Sequence, residues 1–277
     1  MRGLQDGSGI RLVRYAIMYA TMVFIAIPIV YVALSSIKTN EEINRIVFFP
    51  SGLRLDNYIH VSESKTVWFG FTNSLLVTVL ALLLAILVGA LAGFAISRRR
   101  ERIYYWLYLF FLSAMMIPIA TNLTSLYVMI KQLGLIDSLF GLVLIYAANA
   151  IPMGVLLYSG FVKTIPREIE EAATIDGTGY YGRFIRIIIP LLKPVIITHA
   201  VISSVGIWND FLMPLLFIRS PDKKTLPLAI YSFMSERATD WGAIFALLTV
   251  AMIPPILFFL LMQKHFYSGM TAGAVKG

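Results

Sequence analysis

Six apolar stretches, near residues 15–37, 69–96, 104–130, 139–162, 191–218 and 241–264, leave this chain little choice of solvent. Each is long enough, at about 1.5 Å per helical residue, to cross a hydrocarbon core about 30 Å thick. Helices are the expected form, because backbone polar groups in lipid must be satisfied within their own segment. Composition agrees: 58% of the 277 residues are hydrophobic and 14% are charged, where a soluble domain carries about 25% charged residues. The expected fold is an all-α integral membrane protein with six transmembrane helices, in one domain over residues 1–277. The first stretch is longer than the roughly 7–15 apolar residues of a cleaved leader, and no small-residue cleavage site follows it. It reads as a retained span.

The net charge of +8 resembles a nucleic-acid footprint, but in a membrane chain Lys and Arg serve as inner-side anchors against anionic headgroups. No nucleic-acid partner is expected; membrane lipid is. With both termini placed inside, 14 of the 23 Lys and Arg fall in inner segments, and the run Ser97-Arg-Arg-Arg-Glu-Arg102 is the strongest single element. Spans two and four are nearly unbroken, whereas Pro118, Pro194, Pro214, Pro254 and Pro255 predict kinks in the third, fifth and sixth. Gly89 and Gly93, with Ala81 and Ala85 in the same register, predict close helix packing within the bundle.

Several chemistries are missing. There is no cysteine, no G-x-x-x-x-G-K-[ST] phosphate cradle, no H-E-x-x-H and no G-x-S-x-G. His60, His199 and His265 are scattered, so no metal site is expected. Acidic residues are nearly absent from the spans, which weighs against a proton relay. An ion channel or membrane enzyme is disfavoured, and a pore powered from elsewhere fits.

The segment Pro166-Arg-Glu-Ile-Glu-Glu-Ala-Ala-Thr-Ile-Asp-Gly177, between spans four and five, reads as a short punctuated helix. Pro166 suits its start. Glu168, Glu170 and Glu171 complement the macrodipole. Gly177 suits a left-handed ending. Ile169, Ala172, Ala173 and Asp176 are spaced to share one shallow face. An acidic, alanine-rich helix is unlike a basic, bulky interfacial one and is suited to docking in a partner's groove.

This segment resembles the EAA motif of ABC-class importer permeases: Glu171-Ala172-Ala173, then Gly177, Ile187 and Ile189-Pro190 at the motif's spacing, with Ile189 where Leu is usual. Asn73-Ser74-Leu75, Trp208-Asn209-Asp210-Phe211 with Pro214-Leu215, and the tail Thr271–Gly277 are similar to the maltose-type carbohydrate permeases, the MalG-like half in particular. The resemblance spans about residues 15–277. It implies the type I ABC importer permease fold with a coupling helix over about 166–177. It implies a multi-pass subunit of a prokaryotic cytoplasmic membrane that moves a sugar or oligosaccharide by alternating access. Polyamine, amino acid or anion transport is the alternative. Glu170, Glu171, Ala172, Ala173, Asp176, Gly177, Ile187 and Pro190 would carry the ATPase coupling. The implied partners are two ATP-binding cassette subunits, a second homologous permease, and an extracytoplasmic solute-binding protein facing the outer segment 219–240 with Pro221, Lys223, Lys224 and Pro227. The chain itself would be no enzyme and hold no cofactor; ATP and Mg would sit on the partner ATPases.

Asn122, Tyr127, Asn149, Asn209 and Asp210 are the candidate substrate-pathway residues. Their polar groups read first as hydrogen-bonded ties between helices, and second as a lining for sugar hydroxyls. Tyr127, Tyr146, Tyr158 and Trp208 have faces on which a pyranose ring stacks, but aromatics are also routine bundle filler.

Overall fold

The computed structural model describes residues 8–234 and 239–274, and every regular element among them is helical. Residues 1–7 of the first inner segment, residues 235–238 of segment 219–240 and the end of the tail at 275–277 lie outside the described residues. The helices are α1 (Ser8–Ser35), α2 (Asn40–Asn44), α3 (Asp56–Glu63), α4 (Lys65–Arg98), α5 (Arg102–Met116), α6 (Leu123–Gln132), α7 (Leu139–Val162), α8 (Arg167–Ile175), α9 (Tyr180–Arg183), α10 (Ile189–Asn209), α11 (Leu212–Phe217), α12 (Leu226–Tyr231) and α13 (Trp241–Ala274).

Among the described residues, five helical stretches are apolar and long enough to cross a membrane: Arg11–Ser35, Lys65–Arg98, Leu139–Val162, Tyr180–Asn209 and Trp241–Lys264. The expected third span is not one rod. Arg102–Met116 and Ile119–Gln132 meet at a 90° bend. Pro118 causes the break: its ring drives the preceding residue out of the helical region, and Ile117 sits at φ −93°, ψ 113°. The fifth span also differs from the expected 191–218. It starts at Tyr180, ends at Asn209, and includes a π-helical turn over Phe184–Ile188. Pro190 offers no N–H to the carbonyl four residues back, which loosens the helix at this turn.

The chain divides into two compact units. The first comprises the described residues of Met1–Lys65 and Ile230–Met252. Here Thr39 and Glu42 form a capping box on α2. The buried Lys38 ammonium donates to the Val47 carbonyl at 2.8 Å and lies 4.9 Å from the Tyr31 ring centre. Asn57 Nδ2 donates to the Ser36 and Lys38 carbonyls, at 2.9 Å each.

The second unit, Thr66–Ala229 with Ile253–Gly277, carries the main helix packing. One cluster joins Val77, Ala81, Leu142, Tyr146, Met213 and Phe217; another joins Ala90, Phe94, Tyr158, Phe184, Ile188 and Leu192. The small-residue register brings α4 against α7. A Cβ on Gly93 would stand 2.9 Å from Tyr158 Cβ and 3.0 Å from the Ser159 nitrogen. Ser97 Oγ crosses the same seam to the Ser159 carbonyl at 2.9 Å. Fully buried His199 ties α10 to α7, through Tyr158 Oη at 2.7 Å and the Ala150 carbonyl at 3.1 Å. Both ring nitrogens are thus occupied within the bundle.

Candidate functional site

At one end of the second unit stands α8, whose ends are both fixed by local chemistry. Pro166 caps the N-terminus from extended backbone (φ −56°, ψ 137°) rather than entering the first turn. At the other end Gly177 adopts φ +79°. Its N–H donates to the Thr174 carbonyl at 3.0 Å, and the Thr178 N–H donates to the Ala173 carbonyl at 2.9 Å. This pair of bonds is a Schellman termination, which needs a left-handed residue.

The helix presents two faces. Ile169, Glu171, Ala172, Ile175 and Asp176 are exposed, with Ile175 87% accessible. Glu170 and Ala173 are buried. The expectation that Ala173 shares the outward face with Ile169, Ala172 and Asp176 is therefore corrected. Ala173 points inward one turn after Glu170, because that stripe is held by Arg98 at the end of α4. Arg98 Nε meets Glu170 Oε1 at 2.6 Å, with both side chains about nine-tenths buried, and Arg98 Nη2 donates to the Ile165 carbonyl at 2.9 Å. Glu170 is thus committed inside the chain, whereas Glu171 is open. Ile187 lies half-buried in the π turn and Pro190 is exposed on the first turn of α10.

Toward the opposite end of α10 lies a cleft of about 460 Å³. Asn149, Asn209 and Asp210 line it with Tyr146, Met153 and Ser203. Asp210 is not inside a helix but in the break between α10 and α11, at φ −72°, ψ 128°. Its carboxylate accepts from Tyr146 Oη at 2.8 Å and from the Leu212 and Met213 N–H groups at 3.0 and 3.3 Å. It ties α7 to α10 and caps α11 while its edge faces the cleft. Asn122 and Tyr127 do not line this space. Asn122 is exposed ahead of α6, and Tyr127 Oη accepts from Arg219 at 3.0 Å. Of the aromatics, Tyr146 alone reaches the cleft; Tyr158 is bound to His199, and Trp208 packs edge-on against Phe71.

The loop following α11 is braced from two sides. Asn73 Nδ2 on α4 donates to the Asp222 and Lys224 carbonyls at 2.8 and 2.9 Å, and Ser74 Oγ accepts from the Leu226 N–H at 2.8 Å. The Asn-Ser pair near the start of the second span thus positions this loop. Asp137 accepts from Ser220 Oγ, from the Ser220 and Arg219 N–H groups at 2.9 Å each, and from Lys223 Nζ at 3.3 Å. These donors, the Ser220 hydroxyl foremost, hold its carboxyl well below the usual carboxylate range.

The pairing of Arg98 with Glu170, the inward commitment of Glu170 and the bond from Tyr146 to Asp210 escaped sequence reasoning. Arg98 sits in a run that reads as a topology anchor, and nothing local relates it to a glutamate 72 positions away.

Residues 85–272 match the family described as "Binding-protein-dependent transport system inner membrane component". The chain is 34% identical over 252 residues to the melibiose/raffinose/stachyose import permease protein MelC of Bacillus subtilis, covering 91% of each chain. It is also 34% identical to the probable starch degradation products transport system permease protein AmyC of Thermoanaerobacterium thermosulfurigenes, over 90% of this chain and 91% of that one. Among solved structures, a chain of a bacterial ABC transporter involved in the import of the acidic polysaccharide alginate superposes with a TM-score of 0.84. It has 20% identity and covers 96% of this chain and 99% of that chain, so the fold is shared.

Proposed function

The chain belongs to the family of inner membrane components of binding-protein-dependent transport systems, and from that premise we propose that it is the permease subunit through which an ATP-binding cassette importer moves a sugar or oligosaccharide into a prokaryotic cell. The observation that carries the coupling half of this reading is α8. It is a short helix with both ends fixed, a shallow outward face of Ile169, Ala172, Ile175 and Asp176, and a buried ion pair behind it.

In this reading a cytoplasmic ATPase receives that face, and Glu171 and Asp176 offer carboxylates to its basic groups. Two such subunits bind ATP and Mg and perform the hydrolysis; this chain contributes motion. A push on α8 passes to α4 through Arg98–Glu170, and to α10 through α9 and the π turn, since α8 packs on α9 and α9 on that turn. The far half of α10, Ile202–Asn209, forms one wall of the cleft. Displacing α10 against α7 opens or closes the polar edge formed by Asn149, Asn209 and Asp210. The termini lie on the cytoplasmic side, a second homologous permease completes the pathway, and a solute-binding protein meets the loop around Pro221–Lys224.

The cargo reading rests on relatives named for melibiose, raffinose and starch products, and on a cleft in which amide and carboxylate groups sit beside apolar walls, as neutral polyols require. Reconstitution with co-purified ATPase subunits and binding protein tests it. Sugar-stimulated ATP hydrolysis with sugar uptake is the expected result. Stimulation by polyamines, amino acids or anions, with silence toward sugars, would overturn the cargo while leaving the importer class in place.

A further inference from the structure

Beside α8 lies a second cavity, of about 360 Å³, in which Arg99, Arg167 and Arg183 have no part in the proposed coupling. Four arginines line it: Arg98, Arg99, Arg167 and Arg183. Arg98 is committed to Glu170. None of the other three has a carboxylate at hydrogen-bond distance among the described residues. Arg99, half-exposed, reaches Glu101 only at 3.7 Å. Among the described residues no carboxylate lies within ion-pair reach of Arg167 or Arg183. The Arg99 and Arg183 guanidinium groups both lie over one ring, 5.7 and 5.9 Å from the centre of Tyr180. Arg183 Nη1 donates to Thr174 Oγ1 at 2.8 Å, while its Nε is buried with no acceptor. Glu171 is the one carboxylate on the lining that Arg98 does not engage.

Cations gathered around one ring repel one another, and a buried guanidinium N–H without an acceptor costs free energy. An anion with several oxygens cures both defects. Arginine forks match tetrahedral phosphate oxygens. The cavity adjoins Arg98 in the last turn of α4, a helix apolar and long enough to cross a membrane, and basic groups at the cytoplasmic end of a span attract anionic headgroups. We propose that this cavity binds a phosphate group, supplied by the headgroup of an anionic phospholipid. The bound phosphate bridges Arg99, Arg167 and Arg183, and so fixes α9 beside α8. The proposal rests on the orientation given under Proposed function, which places the α8 end in the cytoplasmic leaflet.

The test uses the complex as purified with its partners, reconstituted in phosphatidylcholine alone or with phosphatidylglycerol, with retained lipid counted by native mass spectrometry. Wild type should retain phosphatidylglycerol. R99Q/R167Q should bind it about 25-fold more weakly, from roughly fivefold per direct contact to the phosphate lost. R100Q/R102Q removes the same charge outside the cavity and should bind as wild type does. Inorganic phosphate is added to the phosphatidylcholine sample as a second arm. Binding there that R99Q/R167Q alone weakens upholds the phosphate chemistry and makes the free anion its source. Equal losses in both double variants, or no retention by wild type, overturn the proposal. So does phospholipid that binds only after the ATPase subunits are stripped, which assigns the cavity to the partner. The chain has no cysteine, so maleimide labelling of R100C tests the orientation separately. Labelling from the outer side alone would sink the orientation without touching the lipid count.

Discussion

Replacing Gly177 separates the proposed coupling role of α8 from its folding role. Gly177 stands at φ +79°, and a Cβ built there meets nothing within 4 Å. The penalty for a side chain is therefore conformational rather than a clash. The left-handed region costs an L-residue about 1–2 kcal/mol, with β-branched residues at the upper end because both branches crowd the backbone. G177A should lose about 1 kcal/mol and G177V about 2 kcal/mol of the preference for the Schellman ending. The share of chains with α8 correctly terminated then falls up to about fivefold and thirtyfold. Asn tolerates this region, so G177N should retain most of it. The assay is uptake per ATP hydrolysed in proteoliposomes containing the full complex. Uptake should fall in the order G177N, G177A, G177V, while basal hydrolysis by the partner subunits and the unfolding temperature of the membrane helices stay near wild type. Normal uptake by G177V would refute the assignment of α8 to coupling. Uptake by G177N as low as that by G177V would refute the backbone explanation even if coupling were lost.

Breaking the buried Arg98–Glu170 pair from either side should cost about 3–5 kcal/mol, because each single change leaves a charge or its hydrogen bonds stranded; detergent unfolding of R98Q, E170Q and the double variant should show the double costing less than the sum of the singles. Gly93→Ala places a Cβ 2.9 Å from Tyr158 Cβ and 3.0 Å from the Ser159 nitrogen, so the α4–α7 seam must open, at about 1–3 kcal/mol; the thermal midpoint should drop, whereas G160A, with open space around its Cβ, should melt close to wild type. The Glu42 carboxyl is lowered to about 2 by the Ser51 hydroxyl and then by the Thr39 and Ser51 N–H groups. A lowered folded-state value means that its stabilisation is complete above the ordinary carboxylate pKa and disappears as pH falls through about 2. The stability gap between wild type and E42Q should accordingly be constant near neutrality and close over that acid window.

The spans were legible because lipid imposes a length and a composition on any segment that crosses it. The same local signals marked the end of α8: only a residue free of a Cβ adopts the Gly177 backbone without strain, and the sequence places one there. Pro118 announced a kink, but whether the chain bends a little or through 90° depends on what packs beyond it. Asp210 read as a charge within a span; the structure makes it the residue that ends one helix and caps the next, because the Tyr146 hydroxyl waits across the seam. Of the pathway candidates, Asn149, Asn209 and Asp210 share one cleft, whereas Asn122 and Tyr127 stand apart from it. No periodicity carries that distinction, since it depends on how α7, α10 and α11 meet.

The contact that bears most on the proposed coupling, Arg98 to Glu170, was hidden for the same reason and changes how α8 would act. A docking helix attached to its permease only through its two connecting loops would absorb a partner's push by swinging. Here the side opposite the docking face is pinned to α4 by a buried, charge-assisted bond of 2.6 Å, and α4 is locked to α7 at Gly93, which lies too close to Tyr158 and Ser159 to admit a methyl group without movement. Tyr158 and His199 carry that lock onward from α7 to α10. Each step is a short contact with little slack, and close-packed interiors pass strain on rather than dissipating it. The inward commitment of Glu170 therefore leaves the outer face to Glu171 and Asp176, and under the proposed coupling role gives a partner's movement a stiff route toward the cleft at the far end of α10.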